Sequence, residues 1–106
     1  MPNVDVALLF LERFVDGDIE GLEELMQPEL HIDGPILKTD SRAHYLQALR
    51  NQPPLPSRCE ILHTVSQGEK VAIFYDYQKS DSCIRIAQMF IFKSGKISEM
   101  RLVFER

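Results

Sequence analysis

The stretch Gln88–Phe104, QMFIFKSGKISEMRLVF, holds two apolar-rich runs that meet at Ser94-Gly95. Two runs of strand length joined by a short turn containing glycine predict a β-hairpin, here the one that closes the chain. Working outward, the stretch Gly17–Pro35, GDIEGLEELMQPELHIDGP, puts helical spacing ahead of nearly all the strand-forming sequence. Helices first and a meander of strands afterwards predict an α+β fold, a curved antiparallel β-sheet forming a cone around a pocket and closed by three N-terminal helices.

At 106 residues the chain has room for one domain, 1–106, that buries roughly 60–70% of its unfolded surface. An apolar fraction of 44% with 26% charged residues is ordinary for a soluble globular protein, and no apolar run approaches the roughly 20 residues a bilayer crossing needs. The opening MPNVDVALLF lacks a basic n-region and carries Asp5 where a signal peptide would want lysine, so a cytoplasmic location is expected. Cys59 and Cys83 lie far apart and outside C-x-x-C spacing, which reads as two reduced thiols. A formal net charge of −4 with scattered Lys and Arg argues against nucleic acid, whose phosphates call for a basic face.

Apolar positions Val4, Ala7, Leu8, Leu11, Phe14 and Val15 follow helical spacing. They predict a first helix capped by Asn3 and ended by Gly17. Asp18 should cap a second helix running through Met26 and stopped by Pro28. Leu30–Ile32 reads as a short strand entering the Gly34-Pro35 turn, and Asp40 or Ser41 as the cap of a third helix containing Tyr45, Leu46 and Leu49. After the loop Asn51–Ser57, four runs with hairpin turns between them follow: Arg58–Ser66, Val71–Lys79, Cys83–Lys93 and Lys96–Phe104.

The third run is apolar on both sides, with Ile84, Ile86, Gln88, Phe90 and Phe92 on one and Ala87, Met89 and Ile91 on the other. Parity extends the second set to Ala72, Phe74 and Val103. A face of that kind most economically meets a copy of itself, so a homodimer centred on Phe74, Met89 and Ile91 is expected.

With these motifs in place the chain resembles the nuclear transport factor 2-like superfamily, which includes ketosteroid isomerases and SnoaL-like polyketide cyclases. Gly17–Pro35 is similar to the helix-strand-turn segment of the isomerases, and Phe90–Phe104 to their final hairpin. The resemblance implies a cystatin-like, SnoaL-like cone, dimeric through the outer sheet face and apolar inside. The isomerase residues do not carry over: Gly34 stands at the position of the base, Phe10 at that of the helix-one tyrosine, and Gln88 at that of the hydrogen-bonding aspartate. A mechanism built on an Asp base and an oxyanion hole of a Tyr and a protonated Asp, the pattern described for ketosteroid isomerase itself, has lost its proton carrier and its donors.

Parity and resemblance together point Phe10, Phe14, Tyr75, Tyr77, Gln88, Phe90, Met100 and Phe104 toward the pocket as ligand-binding wall. Gln88 is an amide among apolar neighbours that must bond either an internal partner or a ligand. The acid-base candidates are Asp33, beside the base position, His31, and His63, placed by alternation on the side of Cys59 and Ile61. His31 and Asp33 are two positions apart, the minimum for a metal pair, but no third ligand supports it, and no metal or other cofactor is expected. A G-x-S-x-G elbow and a Gly-rich phosphate loop are both absent from the sequence. Two functions are consistent with this pattern. One is a binding domain for a small apolar molecule; the other is a SnoaL-like cyclase, isomerase or dehydratase using Asp33 or His63.

Overall fold

The structure, a computed structural model, describes residues 1–35, 37–54 and 56–105; within the expected 51–57 loop, Leu55 lies outside them. The elements run α1 (Asn3–Asp16), α2 (Ile19–Glu23), β1 (Met26–Asp33), β2 (Lys38–Thr39), α3 (Arg42–Asn51), β3 (Ser57–Gln67), β4 (Lys70–Lys79), β5 (Cys83–Lys93) and β6 (Lys96–Glu105). One sheet forms in the order β2-β1-β6-β5-β4-β3. It is α+β, with the helices grouped at the front of the chain, and its pairs are antiparallel except β1 with β6, which run parallel.

Helix α1 buries Val6, Ala7, Phe10 and Leu11, one stripe at helical spacing. Its N-cap is Pro2, with no side-chain cap, so the expected Asn3 cap is corrected to a first helical residue. At the other end Gly17 takes φ +69, the left-handed conformation that lets its N–H and that of Asp18 close on the carbonyls of Phe14 and Arg13. Asp18 caps α2 through its carboxylate, which accepts from the Gly21 N–H at 3.0 Å.

The second helix does not reach Met26. It ends at Glu23, and Met26 already pairs with Ile97 of β6. Local spacing favours one more helical turn, yet a remote strand offers a ladder and burial for Met26 and Leu30, both fully enclosed. Burying such side chains contributes about 1.5–3 kcal/mol each, which exceeds the propensity of one helical turn. Pro28, expected as a helix stop, instead lies inside β1, within the span where the register to β6 shifts and a missing N–H is tolerated. The expected short strand Leu30–Ile32 is thus the end of a longer one, and β2 is an added two-residue edge strand. Ser41, not Asp40, caps α3 by accepting from the His44 N–H.

The hairpins match their expected turns. Ser94 and Gly95 both have positive φ, +54 and +79, the handedness that a tight turn between twisted strands requires. Inner-facing Val71, Ile73, Phe90, Phe92, Ile97 and Met100 join α1 and α3 side chains in one core.

Candidate functional site

Between the inner sheet face and helices α1 and α3 lies a cavity of about 720 Å³. Helix α1 supplies Phe10, Leu11 and Phe14, and α3 supplies Tyr45, Ala48 and Leu49. The sheet adds Cys59, Tyr75, Tyr77, Ile84, Ile86, Gln88, Met100, Leu102 and Phe104. Exposed Gln52, Pro53 and Lys79 mark the mouth, near the Gly34-Pro35 turn. The alternation of β4 and β5 carries this arrangement: Tyr75 pairs with Ile86 and Tyr77 with Ile84, so each pair presents both side chains to one face.

Phe90, expected in the wall, is not among the lining residues. It is fully buried in the core, pairs with Val71 and Met100, and meets the Phe10 ring edge-on at 5.6 Å between centroids. Phe10 and Phe14 stack at 6.3 Å, and Phe14 meets Tyr77 edge-on at 6.1 Å, a continuous aromatic wall.

Gln88 is 3% exposed and bonded within the protein. Its carbonyl accepts from the Tyr75 hydroxyl at 2.6 Å and its amide donates to the Met100 sulfur at 3.3 Å. The amide therefore holds two wall residues together while still facing the cavity. Tyr75 spends its proton on Gln88, which leaves only oxygen lone pairs to offer a ligand.

None of the three acid-base candidates lines the cavity. Asp33 follows inward-facing Ile32 on β1, so it projects the other way, half-exposed and paired to Lys38 at 3.8 Å. His63 is corrected more sharply. A bulge between Ile61 and His63 breaks the alternation, so Ile61 pairs with Tyr75 on the inner face while His63 pairs with Phe74 on the outer one. Period-two reading cannot detect one inserted residue. His31 bonds Asp40 across the β1–β2 edge, and no group of three or more potential metal ligands occurs among the described residues.

Burial pushes the Cys59 thiol up to about 11 and raises the Tyr45 and Tyr75 hydroxyls well above the usual tyrosine range. Tyr75 is raised further by Cys59, Tyr45 and Tyr77, near enough to repel it if charged. These three groups stay neutral at pH 7. Lys79 is the one charged side chain among the described lining residues, and its ammonium lies 5.6 Å from the Tyr77 ring centroid. Tyr45 and Cys59 are wall residues that local sequence does not reveal. Tyr45 read only as a helical core position, and nothing local tells a core tyrosine from one at a cavity wall.

No helix among the described residues is long and apolar enough to cross a membrane. The fold recurs in solved structures. An NTF2-like protein of unknown function from Cytophaga hutchinsonii superposes with a TM-score of 0.85 at 13% identity, over 99% of this chain and 91% of that one. IdmH, a candidate polyketide cyclase from Streptomyces antibioticus, gives 0.82 at 18% identity, over 99% and 93%. TerC, crystallised with polyporic acid, gives 0.81 at 19% identity, over 99% and 92%. Among curated proteins no relative matches. The SnoaL-like domain family matches residues 7–100, and the chain belongs to that family.

Proposed function

We propose that this protein binds a small, largely apolar molecule in the cavity between α1, α3 and the sheet. The observation that carries this reading is the wall itself. It encloses about 720 Å³ with aromatic and aliphatic side chains, and burial holds its Tyr45 and Tyr75 hydroxyls and the half-buried Cys59 thiol neutral. Such a wall desolvates an apolar body favourably and offers a few fixed polar contacts to orient it. A cyclase, isomerase or dehydratase needs a group that takes a proton near neutral pH. Asp33 and His63, the residues that would supply it, project away from the wall.

The test is a titration with 1-anilinonaphthalene-8-sulfonate. Saturable binding at one site per chain is expected, and Ala48→Trp, which fills the cavity from α3 without removing a polar group, should abolish it while leaving the melting temperature near that of the parent. Unchanged binding in the Trp variant would place the probe elsewhere and overturn the reading.

We also infer that the assembled form is a homodimer joined through the outer sheet face. Phe74 and Val103 are 42% and 66% exposed there, and Ala72, Ala87, Met89 and Ile91 extend the patch. A shallow depression of about 270 Å³ runs between Phe74, Met89 and Val103. The Glu99–Arg101 ion pair lies beside this apolar area, a polar border of the kind that surrounds apolar interface centres. Two free thiols, one half-buried and one exposed, suit a reducing compartment such as the cytoplasm.

A further inference from the structure

Among the described residues, the cavity wall contains one buried hydroxyl whose proton is uncommitted. Tyr45 is 8% exposed, lines the cavity from α3, and has no hydrogen-bond partner among the described residues. Its hydroxyl is not sealed away, for among the described residues Ser57 Oγ alone is both enclosed and unbonded. Tyr45 is thus a wall residue whose hydroxyl is neither bonded nor fully enclosed. The other polar wall groups differ. Tyr75 gives its proton to Gln88, and Gln88 is engaged with Tyr75 and Met100. Cys59 is a weak donor. Tyr77 is only half-buried, beneath Lys79, where water competes for its hydroxyl.

A buried phenol that stays neutral, lines an apolar chamber and lacks a protein acceptor is a donor waiting for one. Resting on the reading of the cavity as a binding site, we propose that Tyr45 donates its hydroxyl proton to an uncharged oxygen acceptor on a flat, largely apolar ligand. The aromatic wall of Phe10, Phe14 and Tyr77 fits a planar body. The scarcity of free donors inside admits one such acceptor and disfavours ligands rich in acceptor oxygens, which would be left unsatisfied. Tyr45 is in this account a binding and orienting residue.

The test uses 6-propionyl-2-(dimethylamino)naphthalene, whose emission moves to longer wavelength when its ketone accepts a hydrogen bond, beside the analogue bearing a propyl group in place of the propionyl. The unmodified protein should bind the ketone about tenfold more tightly than the propyl analogue, the worth of one such bond, and bound ketone should emit as a hydrogen-bonded species. Tyr45→Phe should remove the preference, shift the bound emission to shorter wavelength, and leave affinity for the propyl analogue unchanged. Equal affinity of the unmodified protein for both probes, or bound emission typical of an aprotic solvent, would overturn the proposal without any variant and leave the cavity reading intact. Loss of both probes in Tyr45→Phe would also overturn it, by showing a structural role. Failure of the unmodified protein to bind either probe would instead overturn the binding reading, and the proposal with it.

Discussion

Gln88 shows how a single hydrogen bond reverses the sign of a prediction. A lone amide in an apolar chamber would be better replaced by leucine, since its desolvation would go uncompensated. Here the amide receives the Tyr75 hydroxyl at 2.6 Å, and Tyr75 is itself 4% exposed. Gln88→Leu should therefore destabilise by about 1–3 kcal/mol, because it orphans a buried hydroxyl. At roughly 4–8 °C per kcal/mol for a domain of this size, the loss is plain in a melting curve. Adding Tyr75→Phe should recover much of it, since removing both partners leaves nothing unsatisfied. A double variant that melts no higher than Gln88→Leu alone would show that the pair is not the source of the cost.

At the scale of elements, α3 positions the cavity chemistry. One ten-residue helix delivers Tyr45, Ala48 and Leu49 to the wall, and its first turn is closed by the Ser41 hydroxyl accepting from His44 N–H at 3.2 Å. Ser41→Ala should cost about 1 kcal/mol, measured by chemical denaturation, and Ser41→Asp should restore stability, because a carboxylate also caps and favours the positive end of the helix. Failure of Asp to rescue would mean that the cap is not what Ser41 supplies. Strand β3 makes the complementary point. Its bulge turns the later half of the strand over, so His63 and Val65 share the outer face with Phe74 and Ala72 while Cys59 remains at the cavity. The hairpin turns at Gly68 and Gly95 are readable because positive φ selects glycine, whereas a bulge leaves no comparable mark.

For the whole molecule, the open question is what covers the outer sheet face. Phe74, Met89 and Val103 lie on adjacent strands β4, β5 and β6, and a two-fold partner would bury each twice. Sedimentation at tens of micromolar should show a dimer. Met89→Lys should weaken it about a hundredfold or more, since an unpaired charge would be buried at the centre of both copies. A monomer for the unmodified protein would overturn the dimer, and the outer face would then have to be stable in water as it stands.

The sequence by itself determined the α+β class, α1 with its Gly17 stop, the β3–β6 meander and the side of β5 that carries Gln88, because these follow from periodicity and turn chemistry acting over a few residues. Tertiary structure decided the rest. It ended α2 at Glu23 by offering Met26 a place beside Ile97, moved His63 off the inner face through the bulge, withdrew Phe90 into the core, and brought Tyr45 to the cavity wall. Each of these outcomes depends on contacts between segments far apart in the chain, and local spacing carries no record of the partner that will compete for a residue.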